Sequence, residues 1–386
     1  MRELFLLPEV QSFATFTAFV EEHQIGTRDL IITNKPILPN FQAEIPTGVP
    51  VICTEDYGFG EPSDVMFEAI QADAAQYDYQ RVLAVGGGTA IDIAKALCAA
   101  EGRNMDELFA ADPAELKHTK TLFCLPTTCG TGSEVTVTAV FDRTRKGTKM
   151  GLTHYALGVD YAIMIPDLLK TLPASVFGAS SIDALIHAIE SYLDGKQATA
   201  ASRMFAEKAI QMILPIYRAI REKGTDVRND YLLEMQLASN FAGIAIANAL
   251  PSAAHAMGYP FAGKFHRPHG EACYVFLDAT MQKYLRDVTA GKVSEADKAV
   301  WKDLMDILAR GLDLVGASDE ALLKELDELC GVILTRKSLK EYGATPEDCV
   351  AFGKSCYEQQ QRLMSCAFTP FTEEELIETF QSVYDF

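Results

Sequence analysis

Three histidines and one aspartate have spacings that suit a metal site. Asp183 and His187 are four residues apart, so in a helix they lie about one turn apart on the same side. His255 comes later, and His269 stands between a proline and a glycine that predict a turn directing it back towards His255. One carboxylate and three imidazoles leave coordination positions open for a substrate oxygen, as in a catalytic metal centre, and suit Fe²⁺, Zn²⁺, Mn²⁺ or Co²⁺.

Two simpler explanations of these residues stay open. Asp183 could complete a capping box with Ser180 at the start of a helix, and His187 could be an ordinary buried imidazole. Neither explanation accounts for both residues, so the sequence favours the metal site.

A glycine-rich turn, residues 86–89 (GGGT), follows an apolar strand and opens a helical pattern. Its backbone N–H groups and the helix N-terminus could bind a pyrophosphate. The G-x-G-x-x-G fingerprint is not met, because its third glycine would fall on Ile91, and a plain tight turn is the alternative. A second loop, residues 125–136, is rich in Thr and Ser and follows the next strand. Two such loops at strand ends favour a nucleotide site.

The elements that must position these residues differ between the two halves of the chain. The first half alternates β-branched runs with helical patterns, which predicts a parallel sheet covered by helices. After Pro166 only helical periods follow. The predicted strands are 29–33, 49–53, 81–85, 121–125, 137–141 and 162–165, and the predicted helices include 63–76, 91–100, 180–193, 200–222 and 231–249. We predict an α/β nucleotide-binding domain over residues 1–170 and an all-helical metal-binding domain over residues 171–386.

Composition excludes several kinds of partner. The 386 residues carry 34 Lys and Arg against 53 Asp and Glu, and the resulting charge of −19 disfavours nucleic acid and anionic membranes. No uncharged apolar run reaches the roughly 18 residues of a membrane span, and the first residues lack the features of a signal peptide. Nine cysteines, an odd number without a C-x-x-C pair, predict reduced thiols. We therefore expect a cytoplasmic protein that acts on a small molecule.

The motifs resemble those of the iron-containing (group III) alcohol dehydrogenases along nearly the whole chain. The matching segments are residues 86–95 (GGGTAIDIAK), 126–134 (PTTCGTGSE), 183–190 (DALIHAIE) and 268–270 (PHG). The resemblance implies a dehydroquinate synthase-like fold, NAD(H) with NADP(H) as the alternative, Fe²⁺ with Zn²⁺ or Mn²⁺ as alternatives, and a homodimer. It also implies that the metal ligands are Asp183, His187, His255 and His269, and that the cofactor is bound by Asn34, Gly87, Gly88, Asp92, Thr127, Thr128, Ser133 and Lys149.

Two positions depart from the family pattern. Asn34 stands where many members have an aspartate that contacts the adenosine ribose, which weakens a sequence-based choice between NAD and NADP. Tyr259 stands where many members have a histidine proposed as a proton relay, so the relay here uses Tyr259 or involves His266.

Within the family, the chain is most similar to members that oxidise 4-hydroxybutyrate, through residues 57–64, 127–136, 255–260 and 268–272. A carboxylate substrate needs a local cation in this acidic protein, and Arg267, Lys264 and His266 are the candidates, with solvated surface charge as the alternative. The alternative functions are a general primary-alcohol or diol dehydrogenase and a non-enzymatic sensor of metal and nucleotide.

Overall fold

Residues 3–386 are described by a computed structural model, and they divide into two units. The α/β unit comprises Leu6–Thr128 and Gly132–Leu172. The helical unit comprises Pro173–Phe386 together with residues 3–5 and Cys129–Thr131. The predicted fold class, a parallel α/β part followed by an all-helical part, is confirmed.

The α/β unit, as described, contains eight strands and four α-helices. The strands are β1 (Glu9–Ser12), β2 (Asp29–Thr33), β3 (Val51–Cys53), β4 (Arg81–Gly86), β5 (Thr121–Pro126), β6 (Thr138–Arg143), β7 (Thr148–Thr153) and β8 (Tyr161–Met164). The helices are α1 (Phe16–Glu22), α2 (Asp64–Ala74), α3 (Gly88–Ala100) and α4 (Met105–Ala110).

Six strands form one parallel sheet in the order β1-β8-β5-β4-β2-β3. All five residues of β2 and nearly all of β4 and β5 are buried, as expected of strands covered by helices on both faces. The chain runs from β2 outwards to β3 and then returns to β4 on the other side of β2. The strand order therefore reverses between β2 and β4, which is where open α/β sheets bind ligands.

The prediction that residues 137–141 join the parallel sheet is wrong. Strand β6 instead pairs antiparallel with β7 in a separate two-stranded sheet. The connection allows a tight return because Gly147 has a φ of +63°, a conformation that glycine adopts without steric cost. The sequence analysis also missed β1, because this short edge strand is mostly exposed and carries no apolar run.

The helical unit contains ten α-helices within the described part of the chain. They are α5 (Ala174–Leu193), α6 (Ala200–Lys223), α7 (Leu232–Asn248), α8 (Ala253–Phe265), α9 (His269–Thr289), α10 (Glu295–Leu312), α11 (Asp319–Ile333), α12 (Pro346–Gln359), α13 (Gln361–Met364) and α14 (Glu373–Ser382). Helix α5 packs against α6, α7 and α9 and is buried along most of its length. It begins at Ala174, so Ser180 lies inside it and the capping explanation for Asp183 is wrong.

None of the helices formed by residues 3–386 is long and apolar enough to cross a membrane. All nine cysteines are free, and only Cys53 is not fully buried.

Candidate metal centre and nucleotide site

Four side chains from three helices meet inside the helical unit. Asp183 and His187 come from the middle of α5, His255 from the first turn of α8, and His269 is the first residue of α9. One potential ligand atom from each residue lies within 4.8 Å of the others. The imidazole rings of His187 and His255 stack with their centres 4.7 Å apart. The structure therefore brings together all four residues that the sequence singled out as metal ligands.

The polar atoms of this cluster fit a bound cation. Among the residues that the structure describes, Asp183 Oδ1, His187 Nδ1 and His255 Nε2 are buried and have no hydrogen-bond partner. Buried polar atoms without a partner are costly, and a metal ion in the cluster would satisfy Asp183 Oδ1 and His255 Nε2, which lie 3.6 Å apart. The donor set of one oxygen and three nitrogens suits a divalent transition metal.

The protonation states of Asp183 and His187 suit metal binding. Burial lowers the pKa of His187 to about 4, so its imidazole is neutral at pH 7. Burial alone would raise the pKa of Asp183, but the three imidazoles around it outweigh this effect and hold the pKa well below its usual range. Both side chains are therefore in the deprotonated form that a metal requires.

Glu190 lies against the cluster, and the sequence analysis gave it no role. Its buried carboxylate lies 2.6 Å from Nδ1 of His255 and accepts hydrogen bonds from the backbone N–H groups of Ser252 and Ala254, at 2.8 and 2.7 Å. The available signal was its spacing of three residues from His187, which places both on one side of α5.

Gly270 allows the start of α9 to approach α5 closely. A Cβ atom at this position would lie 2.7 Å from Cβ of Asp183 and would overlap the backbone oxygen of Ala179. This approach brings His269 Nε2 within 3.9 Å of Asp183 Oδ1. The glycine is thus required by the geometry of the cluster.

The Gly270→Ala variant is expected to push His269 away from Asp183. We expect overpacking to lower the free energy of unfolding by about 1–3 kcal/mol, measured in urea. Metal affinity, measured by competition with a chelator, should fall by about 10-fold or more, as for other changes that disturb ligand orientation. Gly263→Ala is the matched control, because a methyl group added at Gly263 in α8 would have no neighbouring atom within 4 Å, and this variant should bind metal normally. Equal metal affinities for the two variants would contradict the packing argument.

The other side chains predicted to act on the substrate lie around the same turn. Tyr259 is half-buried, and its ring centre is 5.7 Å from that of His269. His266 is at the end of α8, where its φ is +49°. Arg267 forms an ion pair with Glu271 at 3.0 Å and its guanidinium lies over the Tyr342 ring.

Lys264, the third candidate cation, forms an ion pair with Asp348 at 2.5 Å. Both long basic side chains near the turn are therefore already paired with carboxylates. Of these two, Arg267 keeps a buried nitrogen, Nε, without a hydrogen-bond partner among residues 3–386.

The predicted nucleotide-binding turn lies where the strand order reverses. Gly87 precedes the first residue of α3, and Thr127 N donates to Gly86 O at 3.1 Å across the ends of β4 and β5. A Cβ atom on Gly86 would lie 2.5 Å from Asn34 Oδ1, and one on Gly87 would lie 3.4 Å from the Thr128 methyl group. The structure thus brings the ends of β2, β4 and β5 together.

Asp92 and Ser133 take part in an internal network instead of presenting free side chains. The carboxylate of Asp92 accepts hydrogen bonds from Ser133 Oγ at 2.6 Å and Val140 N at 2.8 Å. The fully buried Lys95 donates to Ser133 Oγ at 2.8 Å. These contacts attach the hydroxyl-rich loop to α3. Lys149 lies on β7, where it forms an ion pair with Glu61.

Glu55 is a second residue that the sequence analysis missed. It follows β3, and its Oε1 accepts a hydrogen bond from Asn34 Nδ2 at 3.3 Å. Its Oε2 accepts from Lys35 N at 2.8 Å. A carboxylate therefore lies beside Asn34, although Asn34 itself is neutral, and no sequence signal connected the two because they follow different strands.

The α/β unit with its glycine-rich turn and the helical unit with its aspartate and histidine cluster have the features of a metal-dependent dehydrogenase. The family model of iron-containing alcohol dehydrogenase matches residues 9–166, and the model of the C-terminal part of the Fe-containing alcohol dehydrogenase family matches residues 177–384. The chain belongs to the iron-containing alcohol dehydrogenase family. It is an oxidoreductase, and the family implies NAD(P) and a metal as cofactors.

Particular relatives match over most or all of the chain. It is 37% identical over 384 residues, 100% of both chains, to a 4-hydroxybutyrate dehydrogenase of Clostridium kluyveri. It is 29% identical over 380 residues, 94% of this chain and 91% of the relative, to long-chain-alcohol dehydrogenase 1 of Geobacillus thermodenitrificans.

Solved structures have the same fold. An alcohol dehydrogenase from Oenococcus oeni has a TM-score of 0.82 at 21% identity, covering 100% of both chains. A sulfoacetaldehyde reductase from Bifidobacterium kashiwanohense in complex with NAD+ has a TM-score of 0.79 at 20% identity, covering 99% of this chain and 98% of the other.

Proposed function

We propose that this protein interconverts 4-hydroxybutyrate and succinate semialdehyde with NAD(H) as the hydride carrier. The cluster of Asp183, His187, His255 and His269 is the observation that carries the dehydrogenase chemistry. The 37% identity over the full chain to a 4-hydroxybutyrate dehydrogenase supports the substrate class.

The four clustered side chains would hold the metal, for which we propose Fe²⁺ with Zn²⁺ or Mn²⁺ as alternatives. A bound divalent metal supplies Lewis acidity that makes the substrate hydroxyl easier to deprotonate. Bound NAD+ would accept a hydride, with its two electrons, from the carbinol carbon, and the hydroxyl proton would leave separately. Tyr259 is our candidate for relaying that proton because its ring lies beside that of His269. Its phenol oxygen would accept the proton while its own O–H donates a proton onward, and His266 at the end of α8 would exchange the proton with solvent.

For the cofactor, we propose that Gly87 and Gly88 hold the pyrophosphate at the N-terminus of α3. Thr127 and Thr128 lie beside this turn, and Asp92 and Ser133 fix the neighbouring loop. Lys149 is proposed at the rim of this site.

We propose NAD over NADP because Glu55 lies next to Asn34. A carboxylate at this position can accept a hydrogen bond from a ribose hydroxyl, whereas it would repel the 2′-phosphate of NADP. The hydrogen bond from Asn34 to Glu55 holds the carboxylate in place.

Arg267 is the proposed partner of the substrate carboxylate. Its Nε is buried without a partner among the described residues, although the guanidinium also pairs with Glu271. That pairing specifically favours the second candidate function, a general primary-alcohol or diol dehydrogenase, because Glu271 already neutralises the charge.

Comparison of substrates tests the proposal and separates the two candidates. We expect kcat/KM for 4-hydroxybutyrate to exceed that for 1-butanol by about 10- to 100-fold, the effect of a charged hydrogen bond worth about 1.5–3 kcal/mol. Arg267→Gln should raise KM for 4-hydroxybutyrate and leave KM for 1-butanol unchanged. Lys264→Gln is the matched control, because Lys264 pairs with Asp348 outside the turn. Equal use of both alcohols by the wild type would support the general alcohol dehydrogenase instead.

We further propose a cytoplasmic homodimer. Free cysteines suit a reducing compartment. Strand β1 lies at the edge of the sheet and exposes Val10, and Leu6 and Leu7 are exposed just before it. A second copy of the chain could cover this edge.

A further inference from the structure

Glu190 has contacts that suit it to control one metal ligand. It lies on α5, three residues after His187, and is 3% exposed. Its Oε2 lies 2.6 Å from His255 Nδ1 and 2.8 Å from Ser252 N, and its Oε1 lies 2.7 Å from Ala254 N. Each carboxylate oxygen of Glu190 faces an N–H group, so a proton on either oxygen would point at another donor. The Glu190 side chain therefore acts only as a hydrogen-bond acceptor.

This acceptor determines which nitrogen of His255 is free. Since Glu190 can only accept, the hydrogen of the neutral imidazole must lie on Nδ1. The lone pair is then on Nε2, the nitrogen that lacks a hydrogen-bond partner within the described chain and lies 3.6 Å from Asp183 Oδ1. The other tautomer would direct an N–H bond into the cluster.

Glu190 also fixes the backbone that carries His255. Helix α8 begins after Ser252, whose own side chain makes no capping hydrogen bond. The carboxylate on α5 accepts the N–H groups of Ser252 and Ala254 and therefore caps α8 in place of a local residue. One side chain thus fixes both the position and the tautomer of His255.

We infer that Glu190 is a positioning residue that holds His255 ready to bind metal through Nε2. This inference rests on the proposed function, because it concerns the same cluster. Carboxylates that accept a hydrogen bond from the other ring nitrogen of a metal-binding histidine contribute about 10- to 100-fold to metal affinity. Glu190 does not touch the substrate, so its effect acts through His255.

The test uses the full-length, metal-free protein and Co²⁺ or Zn²⁺ as the probe. In Glu190→Gln, an NH₂ group must replace one oxygen, so at least one of the three N–H groups faces another donor. We expect competition with a chelator to give about 10-fold weaker binding for Glu190→Gln and up to about 100-fold weaker binding for Glu190→Ala. The visible spectrum of the Co²⁺ protein should change, whereas Glu190→Asp should restore part of the affinity.

Asp194→Asn is the matched control. Asp194 lies one turn further along, at the C-terminal end of α5, is equally buried, and accepts a hydrogen bond from Leu250 N at 3.0 Å on the same connection. It does not contact His255, so this variant should lose stability in the metal-free state but keep metal affinity and the Co²⁺ spectrum.

Two results would overturn the inference. The first is a folded Glu190→Gln variant that binds metal as tightly as the wild type. The second is an Asp194→Asn variant that loses as much metal affinity as Glu190→Gln, because Glu190 would then only anchor the connection between α7 and α8. A wild-type chain that binds no metal at the cluster would instead refute the proposed function, so the two failures can be told apart.

Discussion

Replacing His269 with alanine is expected to remove the bound metal and alcohol oxidation together. The variant leaves Asp183, His187 and His255, and the imidazole it loses is the one that α9 supplies to the cluster. Lewis-acid stabilisation of the developing alkoxide charge is worth several kcal/mol, so kcat/KM should fall by about 10³-fold or more. Metal content after dialysis and the rate of NADH formation measure the two losses.

The His118→Ala variant is the control for loss of a histidine. His118 lies in the α/β unit and pairs with Asp160 at 2.8 Å, so metal content should stay at the wild-type value. NADH should still bind to His269→Ala, since the glycine-rich turn lies in the other unit. Full turnover by metal-free His269→Ala would refute a metal-dependent mechanism.

Replacing Gly86 with alanine is expected to weaken NADH binding by about 10- to 100-fold, because displaced backbone N–H groups would lose a hydrogen bond to the charged pyrophosphate worth about 1.5–3 kcal/mol. The added methyl group would lie 2.5 Å from Asn34 Oδ1 and 2.7 Å from Cβ of Ala90 in α3. Asn34 can rotate, but Ala90 can move only with the first turn of the helix, which carries the proposed pyrophosphate site. Titration by NADH fluorescence measures the change.

Gly195→Ala is the matched control for this glycine, because no atom lies within 4 Å of the added methyl group. It should bind NADH as the wild type does. Metal content of Gly86→Ala should also be unchanged, because the four clustered side chains lie in the helical unit. Wild-type NADH affinity in Gly86→Ala would place the dinucleotide elsewhere.

Local patterns in the sequence predicted the elements that carry the site. The helix proposed for residues 180–193 is confirmed and begins earlier, at Ala174, and the strand proposed for residues 29–33 is confirmed as β2. The helix follows from its apolar periodicity, and the strand follows from a short β-branched run. Strand β6 was predicted as a strand, but its partner was not, because a β-branched run does not reveal which strand it pairs with.

The sequence by itself determined the four candidate ligands, the glycine-rich turn and the family. Asp183 and His187 share one helix, where spacing alone fixes their geometry. Tertiary structure alone decided what surrounds them. Glu190 and His255 are 65 residues apart in the chain, and Asn34 and Glu55 follow different strands. Such contacts depend on how helices and strands pack, and residue spacing carries information only within one element.

Packing between elements also explains why the two candidate cations for the substrate carboxylate are already paired. Arg267 and Lys264 looked free to bind a substrate carboxylate in the sequence, yet the fold gives them Glu271 and Asp348 as partners. The net charge of −19 made a local cation necessary for an acidic substrate, but only packing decides which cation keeps a nitrogen without a hydrogen-bond partner among residues 3–386.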